Sequence, residues 1–312
     1  MSIQPMQAIR VHAYGDPEQL TLEQVQRPEP QAGEVLIRVH AAGVNPVDWK
    51  IRQGWMKDFA PMQFPYIPGA DLAGVVEEVG SGVTAFQKGQ VVFGQSTRGT
   101  YAEYTTASVE TLALKPKTLN FDEAAAIPVG ATTAWQALFD NGKLQAGQRV
   151  LIQGAAGGVG SFAVQFARWK GAHVIGTTST ANVDYVRFLG AETVIDYTST
   201  PVEKAAHDVD LVLDTVGAKT LEGSLLVLKR GGTLVTIAGQ PSQEKAQELG
   251  VRVAWFSARV SSELLHTFAQ LIDEGQVNVA VGATFPLRDA ARAHELSQSG
   301  HGHGRIVLHI AD

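Results

Sequence analysis

The 312-residue sequence predicts an α/β protein in which a mostly β, barrel-like portion accompanies a doubly wound, open parallel sheet. Three observations carry that expectation. Residues 149–168, RVLIQGAAGGVGSFAVQFAR, join a short β-branched run to a glycine turn and then to apolar residues at helical spacing. Before residue 121 the chain reads as short β runs separated by Gly, Pro and Asp clusters. After it, strand-like runs alternate with helical segments, the texture of a parallel sheet covered on both faces.

Gly154, Gly157, Gly158 and Gly160 let the backbone turn tightly and approach a pyrophosphate, whose charge is met by free N–H groups and the positive end of the next helix dipole. The spacing G-x-x-G-x-x-G departs from the commoner G-x-G-x-x-G, so the assignment depends on the residues around it.

In the first portion, residues 8–12, 20–23, 35–41, 74–79, 90–93 and 101–105 are the strand-like runs. Residues 42–68, rich in proline and aromatics, are too irregular for a plain strand and read as a long functional loop. Segments 122–127 and 132–139 are helix-like. The motif strand is then joined by runs at 173–177, 193–195, 210–214, 233–237 and 251–256, with helices at 182–189, 221–228 and 263–274 between most of them. Beyond Gly275 a strand, a short helix (288–297) and a strand (305–310) return to the first portion. This divides the chain into a barrel-like domain of residues 1–122 and 275–312 and a nucleotide-binding Rossmann domain of residues 123–274. Residues 299–304, SGHGHG, form a flexible turn in which His301 and His303 are read as solvated rather than as metal ligands.

Composition narrows the function. Hydrophobic residues make up 45% and charged residues 18%, no apolar run reaches membrane-spanning length, and the opening MSIQPMQAIR has no signal-peptide core, so a cytoplasmic protein with no membrane partner is expected. The absence of cysteine removes disulfides, thiol nucleophiles, thiolate zinc sites and iron–sulfur ligation. A net charge of −6 with no Lys/Arg stripe argues against nucleic acid as a partner.

The second strand of the nucleotide-binding sheet ends in Gly176-Thr-Thr-Ser179, where NAD-preferring proteins usually place Asp or Glu. Hydroxyls without a carboxylate favour a 2′-phosphate, so NADP(H) is the expected cofactor, with Thr178, Ser179 and Tyr197 as phosphate ligands. Thr178 and Ser179 also suit a plain helix N-cap.

Several segments together resemble the zinc-free quinone oxidoreductases, including zeta-crystallin, of the medium-chain dehydrogenase/reductase superfamily. They are Ala42-Gly-Val-Asn-Pro-Val-Asp48, Pro68-Gly-Ala-Asp-Leu-Ala-Gly74, Gly99-Thr-Tyr-Ala-Glu-Tyr104, the glycine turn and Asp214-Thr-Val-Gly217. The resemblance implies a GroES-like catalytic domain built from both chain ends, a Rossmann domain between them, and a homodimer. The apolar run at 251–256 would supply the exposed sheet edge to be covered in that dimer.

Zinc-dependent relatives carry Cys where this chain has Asn45, a His in the motif that here reads Gly69-Ala70-Asp71, and a four-Cys structural lobe. None is present, so no metal site is expected, and alcohol oxidation, which relies on a Lewis acid, gives way to reduction of a quinone or an activated enone by hydride transfer. At the cleft, Asn45 is expected to donate a hydrogen bond to the acceptor oxygen, Asp48 to orient Asn45, a water or the cofactor, and Tyr66 to stack or give a proton, with Trp49 and Trp55 as further stacking surfaces. The resemblance adds cofactor contacts at Thr133, Gly157, Gly158, Val159, Gly217, Ala238, Phe256 and Arg305; for Arg305, surface solvation is an equal reading.

No Tyr-x-x-x-Lys pair, Gly-x-Ser-x-Gly elbow or His-Glu-x-x-His motif suggests another chemistry. The alternatives are an enoyl-thioester reductase, or an NADPH-binding, crystallin-like structural protein.

Overall fold

The structure, a computed structural model, describes residues 4–312; the first residues of the opening sequence read for a signal core lie outside them. Strands β1 (Pro5–Arg10) and β2 (Thr21–Gln26) form an antiparallel ribbon. Strand β3 (Glu34–Val44) is the longest and most buried of the first portion, because it pairs with three others. The segment expected to be irregular from residue 42 instead continues β3 to Val44 and enters helix α1 (Pro46–Arg52), with Asn45 as N-cap and Pro46 pre-set for the first helical turn.

Strands β4 (Asp71–Val79), β5 (Val91–Gln95), β6 (Tyr104–Ser108) and β7 (Leu112–Leu114) follow. The strand expected at 101–105 starts three residues late, since Thr100 and Tyr101 spend their N–H groups on the Pro68 carbonyl rather than on a ladder.

Short α2 (Phe121–Ala125) and α3 (Pro128–Trp135) lead into the nucleotide-binding half, α3 widening into a π-helical stretch over Gln136–Asn141. There β8 (Arg149–Gln153), α4 (Gly160–Trp169), β9 (His173–Thr178), α5 (Val183–Leu189), β10 (Thr193–Asp196), α6 (Val202–Ala205) and β11 (Val209–Asp214) alternate. Helix α7 (Leu221–Leu226) ends before the expected residue 228, because Leu228 already opens β12 (Leu228–Thr236) by pairing with Val209 across a bulge. Helix α8 (Gln243–Leu249), β13 (Arg252–Trp255) and α9 (Ser262–Asp273) complete it.

The six strands lie parallel in the order β10-β9-β8-β11-β12-β13, the doubly wound arrangement. The chain then adds β14 (Val281–Pro286), α10 (Ala290–Ser299) and β15 (Arg305–His309), and β15 pairs antiparallel with β3, closing a seven-stranded sheet around the first portion.

The main core lies where α3, α4 and α9 cover the parallel sheet: Ile152, Leu213 and Val235 from the strands meet Phe162, Phe166 and Phe268. Burying each such side chain contributes about 1.5–3 kcal/mol. Helix α4 is buried from Gly160 to Ala167, so it has no solvent face in its first two turns.

Its first residue must be glycine for a steric reason. A Cβ on Gly160 would lie 2.2 Å from the Gly154 carbonyl oxygen and 2.8 Å from Ala155 Cα, all backbone of the same turn. Gly160→Ala is therefore expected to destabilise the protein by about 1–3 kcal/mol, read as a lower denaturation midpoint; an unchanged midpoint would show that the turn relaxes freely.

Candidate active site

The loop from β3 to α1 brings the first group of side chains together. Asn45 donates its backbone N–H to Asp48 Oδ2 at 2.8 Å, so Asp48 orients Asn45 through the main chain. The Asn45 amide turns away from the helix end: Oδ1 accepts from Arg305 Nη2 (2.8 Å), and Nδ2 donates to Asp71 Oδ2 (3.0 Å). One of the two amide protons of Asn45 is thereby used. Arg305 Nη2 also donates to Asp71 Oδ2 (2.9 Å), and Val129 N–H donates to Asp71 Oδ1 (3.1 Å). The Arg305–Asp71 pair has side chains 3% and 0% exposed, which settles Arg305 as buried and removes the surface reading.

Two buried carboxylates share this one guanidinium. Burial raises Asp71 to about 6 against the opposing pull of Arg305 and its hydrogen bonds, and burial raises Asp48 to about 7, helped by the negative charge of Asp71. Asp48 Oδ2 takes a second donor, Tyr101 Oη, at 3.1 Å, and Tyr101 Oη lies 3.2 Å from His294 Nε2 on α10. Arg52, wholly buried at the end of α1, donates Nε to His294 Nδ1 (3.3 Å), Nη2 to Gln298 Oε1 (2.9 Å) and Nη1 to the Gly15 carbonyl (2.6 Å). Burial, with Arg52 adding to it, lowers His294 to about 3, so its ring is neutral.

Tyr66 lies near enough to Asp48 and Arg52 to feel both charges; burial holds its phenol protonated, and its hydroxyl, buried, has no partner among the described residues. Phe64 packs on Tyr66 (ring centroids 5.8 Å), and Trp49 meets Trp55 edge-on at 5.2 Å with Lys50 over both rings. Trp49 is half-buried while Trp55 is 62% exposed, so the two tryptophans form a wall whose outer member faces solvent.

Arg305 joins this group to the glycine turn. A Cβ on Gly158 would lie 2.8 Å from Arg305 Cδ, and one on Gly130, in the first turn of α3, 2.9 Å from the Gly158 carbonyl oxygen. Gly304 N–H donates to the Ala156 carbonyl, fixing β15 against the same turn. Gly157 is exposed, Gly158 and Val159 are half-buried, and Val159, the N-cap of α4, has no side-chain cap bond; the Ser161 N–H donates to the Gly157 carbonyl (2.9 Å), while the Gly160 and Phe162 N–H groups have no acceptor among the described residues. Thr133, on α3, is buried with its hydroxyl bonded to the Val129 carbonyl (2.7 Å).

The remaining cofactor candidates sit at the carboxyl ends of the parallel strands, where this fold binds ligands: Thr178 and Ser179 after β9, Tyr197 after β10, Gly217 after β11, Ala238 after β12 and Phe256 after β13. Thr178 is buried, Tyr197 is 59% exposed, and Phe256 is half-buried against the main core. Ser179 occupies an N-cap position, yet its hydroxyl makes no cap bond; its oxygen accepts a long bond from Asn182 Nδ2 (3.5 Å), which leaves its proton to donate. Gly217, at φ +95°, is positioned by Asp214, whose carboxylate accepts from the N–H groups of Val216 and Gly217 and from Thr220 and Ser224. Ala238 lines a cavity of about 450 Å³ with Gly239, Leu221 and Lys245.

Strand β9 itself ends without a carboxylate, but on the neighbouring strand Asp196 pairs in register with Thr178, and hydrogen bonds from Thr180 and Thr198 hold it below the usual carboxylate range. Residues 299–303 of the SGHGHG turn are exposed, His301 and His303 included, and touch this end only at its edge, with Asn182 Nδ2 donating to the Gly302 carbonyl (3.2 Å) and His303 against Tyr185 (4.7 Å).

Arg52, Asp71, Tyr101 and His294 were not singled out as site residues from sequence. Their partners lie far along the chain, and the one local signal was a lone His among the alanines of α10.

Residues 31–117 match the family model described as Alcohol dehydrogenase GroES-like domain, and residues 189–308 the one described as Zinc-binding dehydrogenase. The quinone oxidoreductase of Mus musculus is 37% identical, over 97% of this chain and 97% of its own. Among solved structures, the quinone oxidoreductase from Coxiella burnetii is 34% identical with a TM-score of 0.89, covering 98% of this chain and 99% of that one. Mycobacterial Rv1454c, solved in complex with NADPH, is 30% identical with a TM-score of 0.89 over 97% and 99%. The barrel-like portion is thus GroES-like, the protein is an oxidoreductase, and the chain belongs to the quinone oxidoreductase family of the medium-chain dehydrogenases/reductases.

Proposed function

We propose that the protein is a zinc-independent, NADPH-dependent reductase of quinones or activated enones. The observation that carries this reading is Asp48, a buried carboxyl poised near neutrality beside Asn45, in a network that reaches the glycine turn through Arg305. The residues present fit the cofactor: an exposed Gly157 with the Gly160 and Phe162 N–H groups beside it for the pyrophosphate, and the Ser179 hydroxyl, which makes no cap bond and keeps its proton to donate, with Tyr197 for the 2′-phosphate. When bound, NADPH supplies the hydride. Zinc independence rests on the donor set: the chain has no cysteine, and Asn45 Oδ1 and Asp71 Oδ2 are already held by a guanidinium.

The acceptor needs hydrogen bonds to the oxygen that gains charge, and a proton. The second amide proton of Asn45 and the unpartnered Tyr66 hydroxyl offer the hydrogen bonds, while Asp48 holds the proton at Oδ1, the oxygen engaged by neither Asn45 nor Tyr101. Trp49 and Trp55, edge-on to each other, and Phe64, against Tyr66, offer aromatic surface to a flat acceptor. A homodimer forms through the open edge strand β13, where Trp255 is 61% exposed.

Asp48 is raised, so its proton-donating form prevails below about pH 7. With NADPH and a naphthoquinone or alkenal, kcat is expected to fall as pH rises through that value; Asp48→Asn should lose about 10²–10³-fold and abolish this limb. An Asp48→Asn enzyme with the wild-type rate and profile would refute the assignment. Ser179→Asp places a second carboxylate beside Asp196 and is expected to move the NADPH/NADH preference at least about tenfold toward NADH, about 1.4 kcal/mol; unchanged affinity for NADPH would remove Ser179 from the site. For assembly, Trp255→Glu should convert a dimer seen by light scattering into a monomer, and a wild-type monomer at micromolar concentration would exclude the edge pairing.

A further inference from the structure

Arg52, His294 and Tyr101 form a buried file of hydrogen bonds that ends on Asp48. Its direction follows from what each atom can carry. A guanidinium has only donors, so Arg52 Nε must donate to His294 Nδ1, which is then an unprotonated acceptor. The ring, neutral, keeps its proton on Nε2 and donates it to Tyr101 Oη. Tyr101 has one proton left to give, and it faces Asp48 Oδ2. A second proton on His294 would have to sit on Nδ1, against the Arg52 cation.

Asp48 Oδ2 therefore receives two donors, the Tyr101 hydroxyl and the Asn45 N–H, and Oδ1 is left for the titrating proton. We propose that Arg52, His294 and Tyr101 act as a one-way hydrogen-bond relay that fixes the proton of Asp48 on Oδ1 and sets the acidity of that carboxyl, with His294 as a positioning residue for proton delivery. The role of the proton in turnover rests on the reading of Asp48 given above; the relay itself does not. Other groups bearing on Asp48 are Asp71, Arg305 and Tyr66, while Asp16 and Glu18 bear on Arg52; none of them interrupts the file.

The relay is tested without turnover by NMR of the full-length protein, using ¹⁵N-labelled histidine and ¹³C-carboxyl aspartate. The His294 ring is expected to show the Nε2-protonated neutral tautomer from pH 5 to 9, and Asp48 to titrate near neutrality. Tyr101→Phe removes a donor to the charged form and should raise the Asp48 midpoint by about one pH unit. His294→Leu should raise it by a smaller amount, and His294→Gln, which can accept from Arg52 and donate to Tyr101, should restore it. A proton on His294 Nδ1, or an Asp48 midpoint unmoved in folded Tyr101→Phe, would overturn the proposal; the tautomer of the wild-type protein decides it even where a variant fails to fold. The kcat profile separates the two ideas: a midpoint that moves while the pH limb of kcat stays put upholds the relay and rejects Asp48 as the proton source.

Discussion

Arg305 and Asp71 form an ion pair from which water is excluded on both sides, and the geometry of the site depends on it. Taking both charges out of water costs several kcal/mol each, which their attraction repays only with good geometry and further hydrogen bonds. Here Asn45 and the Val129 N–H supply those bonds. The pair also joins distant parts of the chain. Arg305 lies on β15, Asp71 on β4, and the guanidinium runs along the glycine turn so closely that Gly158 cannot carry a side chain without displacing it. Removing either partner would leave the other buried and uncompensated, so the register between loop, turn and returning strand is enforced by electrostatics as well as by packing.

Asp48 inherits its properties from this arrangement. It lies within the field of a carboxylate whose cation is already shared, and it is buried, so the protonated form persists to about pH 7. The folded state then binds a proton that the unfolded chain, at the ordinary value of 3.8, releases earlier, and stability from this group falls as pH rises through that window. Asp71 acts in the same direction up to about 6. His294 acts oppositely: lowered from 6.5 to about 3, it is neutral in the fold while the unfolded chain takes up a proton, so its share of stability grows with pH over that range. Between about pH 4 and 6 the imidazole offsets one carboxyl, and above it Asp48 alone continues to titrate.

The parallel sheet was legible in the sequence because its signals are local. Runs such as Val150-Leu-Ile152 and the glycine turn with its helix state their own conformation within twenty residues. Asn45, Asp48 and Tyr66 were named instead from the family resemblance of the long segment that carries them, whose first half folds as the end of β3 and α1. What could not be read were pairings over long separations. His294 meets Tyr101 across 193 residues and Arg52 across 242, and no periodicity encodes either. Arg305 shows the same limit: an Arg opening a short C-terminal strand looks like a solvated end until β3 and the glycine turn are folded around it. The Asp196 carboxylate was missed because it closes the neighbouring strand, not the one that the dinucleotide pattern singles out.

The hydroxyl of Tyr66 is the counterpart of these satisfied groups. The Asp71 carboxylate and the Asp48 Oδ2 atom are held by donors within the protein, whereas Tyr66 Oη is enclosed and has no partner among the described residues. A buried hydroxyl left without a partner costs about 1–3 kcal/mol, a penalty that an oxygen-bearing ligand in reach would remove on binding. Because burial holds the phenol protonated, the hydroxyl can only meet such an oxygen as a donor, and its hydrogen bond strengthens as that oxygen gains negative charge. In the proposed function, Tyr66 therefore supplies polarity for the acceptor, while the proton has its source in Asp48, the neighbouring group whose acidity lies near neutrality.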